Sequence, residues 1–116
     1  MSKSKVYIAG PMRGLVNDNR DHFFAVASCL RDLGYTVFNP AEHDIENNIP
    51  AGVTDGKQLK AQILWDLERI AESDLVVLLP NWINSTGVRL ELEMARFIGV
   101  PVKSFAEVVN FHHEFK

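Results

Sequence analysis

The sequence predicts an α/β protein, a parallel sheet with helices on both faces, and three observations carry that prediction. Apolar runs of strand length, "KVYIA", "YTVFNP" and "DLVVLLP", alternate along the chain with helical stretches. The run from Asp74 to Pro80 lacks polar alternation, as expected of a strand buried on both faces. The turn-rich segments "GPMRG", "NPAEHD" and "PNWINSTG" each follow or end a strand. In parallel sheets that is the end where ligands bind.

Each element has its own signal. "KVYIA" is rich in β formers and stops at Gly10–Pro11. From about Asp18 to Leu33 the spacing of Phe23, Val26, Ala27, Leu30 and Leu33 is helical, and Gly34 is a natural stop. "YTVFNP" reads as a second strand broken by Pro40. "AEHDIENNIPAGVTDGK" has no period and many turn residues, so it reads as a loop. "QLKAQILWDLERIAES" is amphipathic, with Leu59, Ile63, Leu67 and Ile70 on one stripe. A further helix is expected from about Val88 to Ile98, stopping at Gly99 before a brief "VPV" strand. Ser104 and Glu107 form a capping box that predicts a short terminal helix.

Composition narrows the function classes. A chain of 116 residues suits one domain, 1–116, with neither repeat nor low-complexity tract. Its 47% hydrophobic and 23% charged residues are ordinary for a globular protein. A net charge of -3 offers no electrostatic footprint for a nucleic-acid polymer, so a small-molecule ligand is the expectation. The opening ten residues are too short in apolar length for a signal peptide, and no segment approaches a membrane span. A cytoplasmic protein without a membrane partner follows from that. Cys29, the single cysteine, excludes an intrachain disulfide and reads as a small core residue. His112 and His113 lack zinc spacing, and no metal or other cofactor is expected.

The stretch "NSTGVRLELEMARFIGVPV" carries two glutamates two residues apart, about 200° around a helix. Gly87, Leu90, Glu91, Met94, Ala95 and Ile98 project onto one face, and Arg89, Glu93 and Arg96 onto the opposite one. Glu93 is then the solvated carboxylate, and Glu91 the one among apolar neighbours. An unpaired buried carboxylate costs several kcal/mol or takes up a proton. A first-turn position would favour its ionised form by roughly 0.3–1 kcal/mol. The pattern leaves Glu91 between a functional group and a structural carboxylate bonded to a neighbouring loop.

The other candidates are individually weak. The first loop can bring backbone N–H groups and Arg13 to a ligand, but it lacks both phosphate-loop and dinucleotide patterns. Ser85 and Thr86 stand where hydroxyls cap a helix and where an anion is welcome. Asp66 borders its helix's apolar stripe, where a surface ion pair is the plain account. His43 lies in a loop within reach of a ligand, Trp65 reads as packing, and Trp82 as packing or a base-stacking ring.

Together "VYIAGPMRG", "DLERIAESDLVVLL" and "STGVRLELEMARFIGVPV" resemble the nucleoside 2-deoxyribosyltransferase superfamily, which includes the deoxyribonucleoside 5′-monophosphate N-glycosidases. The resemblance runs from about Val6 to Val102 and rests on order and spacing, notably Gly87, Glu91, Ala95, Gly99 and Pro101. It implies a flavodoxin- or Rossmann-like parallel sheet of four to five strands, with a shortened C-terminal strand. It implies cleavage of a nucleoside or nucleotide N-glycosidic bond, with Glu91, Asp66 and Tyr7 as catalytic residues. By the same resemblance Gly10, Met12, Arg13, Gly14 and Ser85 hold a 5′-phosphate; Gly87 and the loop residue His43 are further substrate-binding candidates. It further implies a homo-oligomer, a dimer or larger. Pro11 is similar to the transferase version of the first loop, and Arg13–Gly14 to the hydrolase version. The leading expectation is hydrolysis of (deoxy)nucleoside 5′-monophosphates to free base and sugar 5-phosphate. The alternatives are a base-exchanging transferase and a non-catalytic nucleotide-binding module.

Overall fold

Four parallel strands make one sheet in the order β2-β1-β3-β4 in a computed structural model that describes residues 4–52 and 56–114. The elements are β1 (Lys5–Ala9), α1 (Arg20–Asp32), β2 (Thr36–Phe38), α2 (Pro40–Glu46), α3 (Gly56–Glu72), β3 (Leu75–Leu78), α4 (Thr86–Ile98), β4 (Val102–Ser104) and α5 (Phe105–Glu114). The sequence expectations at residues 1–3, 53–55 and 115–116 lie outside the described residues.

Strand order reverses between β1 and β3, which pair from Val6↔Leu75 to Ala9↔Leu78. Chains leaving these two strands diverge to opposite sides, which opens a crevice at their carboxyl ends. Alternation in β1 and β3 divides the core between the two faces. Val6, Ile8, Val77 and Leu79 pack with Phe23, Val26 and Leu30 of α1 and Val108 of α5. Tyr7, Ala9, Val76 and Leu78 pack with Ile70 of α3 and with Val88, Leu92 and Ala95 of α4. Tyr7 is thus carried, fully buried, beneath α3 and α4.

Helix ends follow local chemistry. The Ser104 hydroxyl accepts from Glu107 N (3.1 Å) and the Glu107 carboxylate from Ser104 N (3.4 Å), the reciprocal box expected at the head of α5. Gly99 ends α4 at φ 84°, a conformation that costs glycine little. No helix among the described residues is long and apolar enough to cross a membrane.

Four sequence expectations need correction. Residues 40–46, read as loop, form α2, because Asn39 Oδ1 accepts from Ala41 N (2.9 Å) and Pro40 presets the first turn. Helix α4 starts at Thr86 rather than Val88, since the Ser85 Oγ caps it by accepting from Val88 N (3.3 Å). Its buried stripe is Val88, Leu92 and Ala95, whereas Leu90 and Ile98 are 58% and 42% exposed. The inward face is therefore rotated from the projected one. Cys29 is half-buried at the edge of α1 rather than a full core residue.

Candidate active site

The crevice is a cavity of about 1170 Å³, walled by the loop after β1, one side of α3, the loop after β3 and the start of α4. Of the residues singled out from sequence, Gly10, Met12, Arg13, Asp66, Ser85, Gly87 and Glu91 line it. Tyr7 lies behind the two carboxyls, with no exposed surface. Gly14 supports the first loop through a φ of 79° and is not in the wall. His43 is also outside the wall. Its ring stacks on Trp65 at 4.0 Å, and its Nδ1 meets Asn47 Nδ2 at 3.2 Å. Burial lowers the His43 pKa.

Packing alone requires glycine at position 10. A Cβ there would stand 2.6 Å from Leu79 Cδ1, inside the core of the other face. Ser85 does cap a helix, as its bland reading holds, yet it still borders the cavity. Trp82 packs against the core beneath α4 and not in the cavity wall.

Asp66 takes part in no surface ion pair among the described residues; it faces Tyr7 and Glu91 instead. Burial pushes its carboxyl up to about 7, with the nearby Tyr7 hydroxyl pulling down and the charge of Asp44 pushing up. Glu91 is driven well above the ordinary carboxylate range, by burial first and then by Asp66, with Tyr7 again opposing. Its Oε2 is buried and without a hydrogen-bond partner, as is the Tyr7 hydroxyl. Tyr7 interacts with both carboxyls without closing a short bond to either. Burial and their charges push its phenol well above 10, so it is a neutral donor.

The helix dipole does not rescue an ionised Glu91. With α4 starting at Thr86, Glu91 is in the second turn, beyond the reach of the terminal partial charges. One pKa unit is about 1.4 kcal/mol, already above the dipole's largest surface contribution of about 1. Burial wins. Two close buried carboxyls cannot both ionise cheaply, so they titrate as a pair that retains a proton near neutrality. Such a pair holds an acid and a base side by side.

Sequence reasoning missed several cavity residues, among them Asn19, His22, Gln62 and Asn84. Gln62 had a usable signal: it lies one helical turn before Asp66, on the same side of α3. Asn19 and His22 had none, because the first loop swings them in through three consecutive residues at positive φ, Asn17 to Asn19. Among the described residues, no cluster of three His, Cys, Asp or Glu side chains is placed to hold a metal ion.

Comparison with known proteins agrees with the fold. A family model described as "Domain of unknown function (DUF4406)" matches residues 4–104. Among solved structures the chain is similar to the 2-deoxyribosyltransferase of the psychrotolerant bacterium Bacillus psychrosaccharolyticus, with a TM-score of 0.69 and 26% identity. That similarity covers 87% of this chain and 71% of the other, and supports the nucleoside 2-deoxyribosyltransferase superfamily. No curated protein matches.

Proposed function

The chain belongs to the DUF4406 family, and from its buried acidic pair we propose that it cleaves the N-glycosidic bond of (deoxy)nucleoside 5′-monophosphates. The observation that carries this reading is the Glu91 carboxyl, with an unpartnered buried oxygen, at the floor of a cavity it shares with Asp66.

Breaking a C1′–N bond leaves positive charge on the sugar ring and negative charge on the departing base. In this reading Glu91, once ionised, lies under C1′ and stabilises that cation or captures it covalently. Asp66 carries the proton shared by the pair to the base as it leaves. Tyr7 donates toward Glu91 and fixes its direction. The backbone of Gly10–Arg13, the Arg13 guanidinium and the Ser85 hydroxyl hold the 5′-phosphate. At about 1170 Å³ the cavity is large enough to enclose a nucleotide.

Base exchange is the second reading. It is favoured by the likeness to a 2-deoxyribosyltransferase and by Pro11 in the first loop. Incubation with nucleosides and monophosphates, with and without an acceptor base, separates the two by chromatography. Free base without acceptor is the expected outcome. Base appearing only in exchange would give the transferase, and binding without either product would reduce the chain to a nucleotide-binding module.

We also read the active form as a homo-oligomer in the cytoplasm. Leu64 of α3 and Phe97 of α4 are 61% and 89% exposed, and Ile63 and Leu90, at 43% and 58%, stand at the cavity wall, apolar surface that a second copy would cover. Light scattering should give at least twice the 13.1 kDa chain mass; a monomer at assay concentration would contradict it.

A further inference from the structure

A small recess of about 50 Å³ adjoins the main cavity. Met12, Arg13 and Gln62 border both spaces, and Asp44, Ile49 and Pro50 stand on the far side. We propose that this recess reads the nucleobase, with the Asp44 carboxylate accepting a hydrogen bond from an exocyclic amino group and so selecting amino-bearing bases over their oxo counterparts. The inference rests on the N-glycosidic reading of the main cavity and deepens it.

Size is the first argument. At about 50 Å³ the recess has room for a small polar group such as an amino substituent. The ring stays in the main cavity, near Asp66, whose acidity already feels the charge of Asp44.

The second argument is what the neighbouring polar groups do. Asp44 is only 7% exposed, yet burial and the charges of Arg20 and Asp18, rather than any hydrogen bond, set its acidity. Arg20 directs its Nη2 at the Ile49 carbonyl (2.6 Å) instead of clamping Asp44. Asp18, which also borders the recess, accepts from Gly52 N (3.0 Å). Asp44 is thus the carboxyl left available. Burial raises its pKa to about 6, which keeps it ionised at neutral pH and therefore an acceptor only. An amino group satisfies it, whereas a carbonyl oxygen sets two acceptors face to face. Sites built around a hydrogen bond discriminate strongly against ligands that cannot make it.

The test uses matched substrates that differ only in that group: dAMP against dIMP, and dCMP against dUMP. Wild-type protein should favour the amino member of at least one pair in kcat/KM. Asp44→Asn, which presents a donor as well as an acceptor, should lower that preference by tenfold or more. Its affinity for 2-deoxyribose 5-phosphate should not change, because Arg13 and the first-loop backbone, which border the recess and hold the phosphate in this reading, are left intact by the substitution. Equal loss on both members of a pair would make Asp44 a structural partner of Arg20 and overturn the proposal. A calorimetric comparison of adenine with hypoxanthine, and of cytosine with uracil, on wild-type protein needs neither turnover nor a variant. Equal affinities within both base pairs would also overturn it. Absence of base release from all four nucleotides would instead count against the N-glycosidic reading, with the calorimetry still deciding the recess.

Discussion

Glu91→Gln is expected to lower base release by at least roughly 10³-fold while leaving Tm unchanged or raised. The activity loss follows from the position of the side chain. A carboxylate in contact with the reacting carbon supplies charge that a neutral amide cannot, and removing groups of that kind costs about 10²–10³ or more. The stability result follows from burial. Glu91 Oε2 is buried without a partner, and Asp66 adds repulsion whenever both carboxyls ionise. Glutamine keeps the shape and removes the titrating proton. A site group that is costly to the fold is a familiar signature of function. Chromatography of released base and thermal denaturation of both proteins give the comparison. A glutamine variant with wild-type turnover would remove Glu91 from the chemistry.

The folded protein is expected to lose stability as pH rises from about 4 to beyond 7. The sign follows from linkage: Asp44, Asp66 and Glu91 all have folded-state pKa values above their ordinary ones. The native chain therefore holds more protons than the unfolded chain across this window, and raising the pH favours unfolding. That contribution is complete below about pH 4 and is lost through about 6 for Asp44 and about 7 for Asp66. His43, whose pKa is lowered, works weakly the other way below its ordinary value of 6.5. The net change between pH 5 and pH 8 should be on the order of 1–4 kcal/mol. Asp66→Asn should narrow the gap in Tm between these two pH values. A wild-type Tm that is flat or rising over the interval would mean the acidic pair is not buried as described.

The strands were legible as apolar runs between turn signals, and the long helices because each spans enough residues to show its period. "DLVVLLP" fits a strand covered on both sides, and α3 repeats its apolar stripe over about three turns, although only Ile70 of that stripe is buried and Leu59, Ile63 and Leu67 line the cavity. Helix α2, at seven residues, is too short for a period. Its signal was the Asn39–Pro40 pair, which marks a helix start as readily as a strand break. In α4 the projected face was rotated because Leu90 and Ile98 are apolar yet exposed, so hydrophobicity alone misjudged the burial direction. The carboxyls of Glu91 and Asp66 come from helices 25 residues apart in sequence, and only the packing of α3 on α4 shows that they meet. Asp44 was passed over in favour of its neighbour His43, because a histidine in a loop looks more like a ligand-binding group than a carboxylate on an unrecognised helix.

The most direct measurement is a crystal structure of the Glu91→Gln protein soaked with a deoxyribonucleoside 5′-monophosphate. The expectation is phosphate against Gly10–Arg13 and Ser85, and C1′ about 3–3.5 Å from the side chain at position 91, the separation of a reacting pair. A nucleotide seated with its sugar remote from that side chain, or with its phosphate away from the first loop, would contradict it.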